Sequence, residues 1–447
     1  MISRSCRGGR RPARSDRSAG SGGLTPAPTL YAALVLFLCA GTPVRLYAQS
    51  RPIVIRGATV FPVSGPEIPN GTVVFSGGKI TAVGANVQVP AGAEIIDARG
   101  RYVIPGVVDA MTNVGIDASD WNETSNPVTP ANRAIESYNP FGLFGQGKPG
   151  PLRNREALSG GVTTVYIAPA DAAILGGQGA VIKTAGATLD GTIVREPAAI
   201  DMTLGTPPKT AARARNRDPY TRMAEVAMLR QELVKAQEYQ RKKQQDPNTP
   251  RDLGLEALGR LLRREIPARI QANAEPDIRS ALGLAQEFGF DLILDGAAMA
   301  DRFTEQLVAR RIAVVHGQVS HPWISNEEIP DRQDYPPVDE RTPGRLTAAG
   351  IKTAIATFSR AFGTLAPAGT AKWLLIDAAV AGGYGMSDAA ILKAVTLVPA
   401  EILGVADRVG SLDVGKDADV VILDGPPLSI KTWVRRVYVN GEMVYEK

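Results

Sequence analysis

Cysteine is nearly absent: the 447 residues contain two, Cys6 and Cys39. Both fall in the first 48 residues, so a chain processed after that segment has no disulfide framework and no thiol nucleophile. Histidine is equally scarce, with only His316 and His321. They stand five residues apart across Gly317, which is not the helical i, i+4 pair of a metal-binding helix, and a site built on several imidazoles is excluded. No apolar run reaches the roughly 20 residues that a bilayer span needs. The formal net charge of +5 carries no basic surface either. Arginines 4, 7, 10, 11, 14, 17 and 45 against the single acid Asp16 account for more than this whole excess. The rest of the chain is close to neutral and offers neither a nucleic-acid nor a membrane-binding face.

The first 48 residues combine those arginines with a short apolar run, "LYAALVLFLCAG" (30–41), and small residues up to "LYAQS". This pattern reads as a signal peptide, residues 1–48, cleaved after Ala48, and implies export to the periplasm or the medium; an uncleaved anchor is the alternative. The ~400 residues beyond it suffice for one large domain and a smaller one.

Next come alternating Val, Ile and Thr runs, "PIVIRGATVFPV", "GTVVFSGGKITAVG" and "AEIIDARGRYVIPG", broken by Asn-Gly and Gly-Gly, which predict tight hairpins in a small antiparallel sheet. The chain closes with the same texture in "ADVVILDG" and "VRRVYVNGEMVYEK". The two ends are therefore expected to share one β-sandwich, residues 51–102 plus 405–447. The middle, 103–404, alternates short apolar strands (161–169, 179–186, 266–272, 291–296, 312–317, 352–358) with helical stretches. That order predicts an α/β fold, a TIM-like (β/α)8 barrel of parallel strands whose C-terminal ends form the site. Helices over 220–243 and 252–267, with apolar residues at Met223, Val226, Leu229 and Leu233 and at Leu255, Leu258 and Leu262, are expected to cover the barrel, a dimer surface being the alternative. "LGGQGAV" (175–181) lacks the Lys-Ser/Thr ending of a phosphate loop and reads as a turn leading into a strand. Trp121, Tyr138, Phe141 and Phe144, beside the Gly/Pro-rich stretch 139–151, are candidates for lining the barrel mouth.

The chain resembles the amidohydrolase superfamily, in particular its imidazolonepropionase-like and prolidase-like members. "GRYVIPGVVDAMTNVG" is similar to the opening signature, in which two histidines end the first barrel strand. "AVTLVPAEILGVADRVGSLDVGKDADVVILDG" is similar to the closing one. The resemblance implies hydrolysis of C–N bonds by water bound to one or two divalent metals, usually Zn²⁺. At the matching positions this chain carries Met111 and Asn113 on the first strand, Asp201 on the fourth, Gln271 followed by Asn273 on the fifth, Asp295 on the sixth and Phe358 at the end of the eighth. A thioether and carboxamides do not replace imidazole for Zn²⁺, and Phe358 has no lone pair with which to act as a base.

No residue is thereby assigned a catalytic role, though Asp295, His316 and Asp201 remain candidates. Asn113, Gln271, Asn273 and His316 are candidates for ligand contact. Asp109, Asp201 and Asp295 with the amide oxygens describe an alternative hard-cation site for Mg²⁺, Mn²⁺ or Ca²⁺. The competing reading has Asp109 orienting backbone and the other two paired with Arg269 or Lys183. Ser320 and Ser359 have no evident His-Asp partners. Two functions stay open: an exported, non-catalytic homologue that binds a small molecule, a protein, or a subunit in a homo-oligomer or a hetero-oligomer with a catalytic homologue; or a C–N hydrolase with an altered, oxygen-rich metal site.

Overall fold

The structure is a computed structural model and describes residues 51–139, 152–317, 319, 339–357 and 370–447. The expected signal peptide, Phe141, Phe144, Ser320, His321, Phe358 and Ser359 lie outside the described residues.

Both chain ends build one eight-stranded sheet that forms the β-sandwich. Its N-terminal strands are β1 (Ile53–Val60), β2 (Ile68–Ser76), β3 (Lys79–Gly84), β4 (Glu94–Asp97) and β5 (Tyr102–Pro105). Ile55, Val73, Phe75, Ile80 and Val103 are buried in a common apolar core with Val420, Ile422 and Tyr438 from the C-terminal strands. The seam between the two ends is the antiparallel pairing of Tyr102–Pro105 with Val420–Leu423, Ile104 lying opposite Val421. The sheet is mixed rather than purely antiparallel, because β1 pairs in parallel with β4 and β5. Gly77-Gly78 and Asn440-Gly441 turn with positive φ as expected of tight hairpins. Asn70-Gly71 does not: it lies inside β2, where Asn70 at φ 51° accompanies a break in the β1–β2 register. A Cβ on Gly71 would stand 2.9 Å from the Val60 side chain, so close strand contact, and not a turn, requires glycine there.

The second eight-stranded sheet curls into the near-closed barrel. In spatial and sequence order its strands are β6 (Val107–Thr112), β7 (Val162–Ile167), β8 (Leu175–Lys183), β9 (Ile193–Thr203), β10 (Ala268–Ala272), β11 (Leu292–Gly296), β12 (Ala313–His316) and β13 (Thr353–Ile355). One strand departs from the parallel expectation: β8 runs antiparallel to both neighbours. The Gly-rich 175–179 is therefore the start of a strand and not a turn before one. With its direction reversed, β8 brings Leu175–Gly179 to the end of the barrel where β9 finishes, Gly177 lying opposite Asp201.

The last three strands complete the sandwich: β14 (Val420–Leu423), β15 (Val434–Val439) and β16 (Glu442–Glu446). Helices α1 (Thr206–Arg213), α2 (Arg222–Gln245), α3 (Leu253–Leu262) and α4 (Glu275–Phe288) follow β9 and β10. Leu229 and Leu233 of α2 and Leu258 and Leu261 of α3 share one core with Ile200, Met202 and Ile270, so these helices do cover the barrel. Met223 lies off that seam and is 80% exposed. Among the described residues, no helix is long and apolar enough to cross a membrane.

Barrel and sandwich are joined by charge. Lys183, at the end of β8 and fully buried, places Nζ 2.6 Å from Asp419 and 3.1 Å from Asp417. Asp417 also faces Lys79 at 2.7 Å and Arg408 at 3.0 Å. Burial raises the Asp417 carboxyl's pKa, but Lys183, Lys79 and Arg408 outweigh that and hold it below the usual carboxylate range. Lys183→Met leaves two buried acids short of a cation and is expected to cost about 3–5 kcal/mol in urea denaturation. The half-exposed Lys79 changed to Ala is expected to cost under about 1 kcal/mol in the same measurement.

Candidate functional site

Strand β10 sets up the barrel interior. Ala268, Ile270 and Ala272 pack outward into the core beneath the helices. The alternation of a strand then turns Arg269 and Gln271 inward. Arg269 has no exposed surface. Its Nε and Nη2 donate to Asp295 on β11 at 3.0 and 2.8 Å, and its guanidinium carbon lies 3.9 Å from the ring centre of Tyr166 on β7. The Tyr166 hydroxyl donates to Asp201 on β9 at 2.5 Å. A chain Asp295–Arg269–Tyr166–Asp201 thus crosses the barrel. Burial works against the Arg269 charge, yet Asp295, Tyr166 and Asp201 more than offset it and hold the guanidinium's pKa above its ordinary value.

The sequence-predicted positions fall around this chain. Met111, fully buried, belongs to the apolar cluster of Ala110, Tyr166, Ala168 and Val315. Asn113 follows the end of β6, is buried, and has no partner for Nδ2. Gln271 lies opposite Thr203 and Asp295 on the flanking strands, fully buried, with neither amide atom hydrogen-bonded. Asn273 lies just beyond β10 and its Oδ1 accepts from the Ala298 amide at 3.4 Å, a loop contact. His316 ends β12, its Nδ1 being 2.9 Å from the Gly317 carbonyl oxygen. Tyr138 and Trp121 pack the loop down: Tyr138 is buried against Gly115, and the Trp121 ring N–H donates to the Ile116 carbonyl at 2.9 Å.

Asp109 also has a structural task. It accepts from the Met111 amide and from the amide and hydroxyl of Thr357, which follows the last barrel strand, so it closes the barrel between β6 and β13. Burial pushes its carboxyl up to about 6, against the pull of those hydrogen bonds and Arg269. Lys183 takes no part here, being engaged by Asp417 and Asp419 at the sandwich.

These residues do not fit a catalytic zinc. Of the positions that the resemblance matches to ligands, Met111, Asn113 and Gln271 carry neutral, weakly donating groups, and the carboxylates of Asp201 and Asp295 are held by Tyr166 and by Arg269. A dication would need Asp295 to give up a buried guanidinium, itself a charge of the wrong sign for a metal's neighbour. The oxygen-rich alternative fares no better, because Asp109, Asp201 and Asp295 each serve a different partner. Among the described residues, no three His, Cys, Asp or Glu side chains are grouped to hold a metal ion.

Arg269 pairs with Asp295, one of the partnerships expected from the sequence, while Tyr166 was not anticipated. Arg269 left a signal, a lone charge inside the apolar "IPARIQA" two residues before Gln271 and so on the same face. Tyr166 left none, since aromatics are common in buried strands.

A barrel whose strand ends gather the polar groups, flanked by a sandwich made from both chain ends, defines an amidohydrolase-type fold. The amidohydrolase family's model matches residues 329–445. An amidohydrolase structure from Thermotoga maritima MSB8 is 32% identical, covers 88% of this chain and 100% of its own, and superposes with a TM-score of 0.78. The chain belongs to the amidohydrolase family. It is also 25% identical over 444 residues to Amidohydrolase tasK of Hapsidospora irregularis, covering 89% of this chain but spanning only 43% of that protein. Molinate hydrolase, 19% identical with a TM-score of 0.55 over 89% of this chain and 95% of its own, shares the fold.

A further buried acid lies on α2. Glu225 of α2 is fully buried; its Oε2 accepts from the Gly205 amide at 3.1 Å while Oε1 has no partner. Burial pushes its carboxyl up to about 8, with Asp277 raising it further and Lys209 and Arg222 opposing. The native state therefore holds this proton to higher pH than the unfolded chain, whose carboxyl titrates near 4.5. Its contribution to stability is full below pH 4.5 and is lost as pH rises through about 8. Glu225→Gln is expected to flatten that decline in thermal melts run from pH 5 to 9. At Gly179 an added Cβ would meet the Tyr166 hydroxyl at 2.0 Å and Asp201 at 2.9 Å. Gly179→Ala is expected to cost about 1–3 kcal/mol by forcing that pair apart. Gly283→Ala, in open space on α4, is expected to gain about 0.5–1 kcal/mol.

Proposed function

We propose that this protein is a non-catalytic amidohydrolase homologue that binds a small molecule at the strand ends of its barrel without metal-dependent hydrolysis. The observation that carries the reading is the fully buried Arg269–Asp295 pair, stacked on Tyr166. It holds a paired guanidinium in the barrel interior, bound to the carboxylate that the resemblance puts at a ligand position. The resemblance to imidazolonepropionase-like and prolidase-like members offers a chemical comparison, and this chain departs from their motifs at the groups that would activate water. Export by the N-terminal segment is part of the same proposal, and it places the binding function outside the cytoplasm. Oligomer formation, with itself or with a catalytic homologue, is compatible with this role and is read by light scattering.

Elemental analysis of the purified protein, with amide, lactam and dipeptide substrates in the presence of added Zn²⁺, Mn²⁺ or Mg²⁺, tests the reading. Sub-stoichiometric metal and no turnover are expected. Asp295→Asn is expected to lose about 3–5 kcal/mol of stability, as removal of one partner of a buried pair does. Stoichiometric metal with turnover that Asp295→Asn abolishes while the fold survives would establish the hydrolase instead.

A further inference from the structure

Three buried side chains in and beside the barrel strands have hydrogen-bonding groups with nothing to bond. Gln271 lacks a partner for both Oε1 and Nε2, Asn113 for Nδ2 and Arg269 for Nη1. Arg269 and Gln271 have no exposed surface and Asn113 is 4% exposed. Leaving such groups unsatisfied costs about 1–3 kcal/mol each, and native proteins seldom leave several together without a ligand or ordered water to meet them. Arg269 and Gln271 lie two residues apart on the inner face of β10, and Asn113 stands at the end of β6.

Charge and valence together select the ligand. Arg269 is neutralised by Asp295, while Asp201 and, above its pKa of about 6, Asp109 add negative charge. An anion entering here meets net repulsion. A cation meets the opposite obstacle: three of the four open groups are N–H donors, on Asn113, Gln271 and Arg269, and the carboxylates are already bonded. What remains is an uncharged molecule. It needs an acceptor oxygen for the donors and a neighbouring N–H or O–H for Gln271 Oε1.

We infer that the barrel interior is a binding site for a neutral small molecule with an adjacent acceptor and donor, read by the Gln271 amide and Arg269 Nη1 with Asn113 as a further donor. This rests on the binding reading above, and its test is independent of metal and turnover. Three probes of one shape separate the classes: cyclopentanecarboxamide, cyclopentanecarboxylate and cyclopentylmethylammonium. Their binding to the chelator-treated full chain is followed by saturation-transfer NMR and calorimetry. The carboxamide is expected to bind at least about tenfold more tightly than either ion, the factor that one good hydrogen bond supplies. Gln271→Met, which keeps the volume and removes both amide atoms, is expected to abolish that preference while leaving the protein folded and no less stable. Asn113→Leu is expected to weaken carboxamide binding by a smaller factor. Preference for the carboxylate or the ammonium, no binding of the carboxamide, or unchanged binding by Gln271→Met would each overturn the inference. Metal-dependent turnover in the other experiment would sink the non-catalytic reading and leave this result standing.

Discussion

The interior of this barrel is organised by one buried guanidinium. Arg269 draws on Asp295 for charge, on Tyr166 for a π face and, through the Tyr166 hydroxyl, on Asp201, so four strands from β7 to β11 are tied by a single side chain. Arginine suits the task because its planar fork satisfies a carboxylate while its face stacks on a ring. The arrangement also accounts for Gly179 of β8, where a Cβ would intrude on the tyrosine–aspartate bond. A pair of this kind is costly to break and adds little net stability when intact. What the pair gives the interior is a fixed polar chain, Asp295–Arg269–Tyr166–Asp201, across the barrel.

Much of the architecture was legible in residue order. Strand-rich ends of matching texture, separated by strand and helix in alternation, demanded a barrel whose ends return to one sandwich, and the Ile104–Val421 pairing is that return. The reversal of β8 was not legible. A strand buried on both faces, as Leu175–Lys183 is, reads alike in either direction, and its glycines carried a turn signal that close packing overrode. Asn70-Gly71 misled for the same reason: a dipeptide that permits positive φ serves a bulge as well as a hairpin.

At the candidate site, the resemblance puts Met111, Asn113, Gln271 and Asp295 where the family has ligands, a reading that rests on motif position and on the chemistry of each side chain. What replaced the site was legible in part: Arg269 is an expected partner of the interior aspartates and does pair with Asp295, whereas the bond of Tyr166 to Asp201 had no signal. The partnership of Arg269 with Asp295 follows from register between adjacent strands, and that of Tyr166 with Asp201 crosses β8, which lies between their strands. Lys183 shows the limit most plainly: it was a candidate partner for the interior aspartates, and its strand's reversed direction delivers it to the opposite end of the barrel, beside Asp417 and Asp419.

The sandwich seam has a consequence for synthesis on the ribosome. β5 must wait for β14, more than three hundred residues downstream, before its edge is covered, and Lys183 must wait for a counter-ion 236 residues downstream at Asp419. The barrel strands before Lys183 therefore emerge while the N-terminal strands still expose an unpaired hydrogen-bonding edge, the kind of edge that recruits foreign strands. Closure of the seam rests with β14, and its removal uncovers the edge of β5.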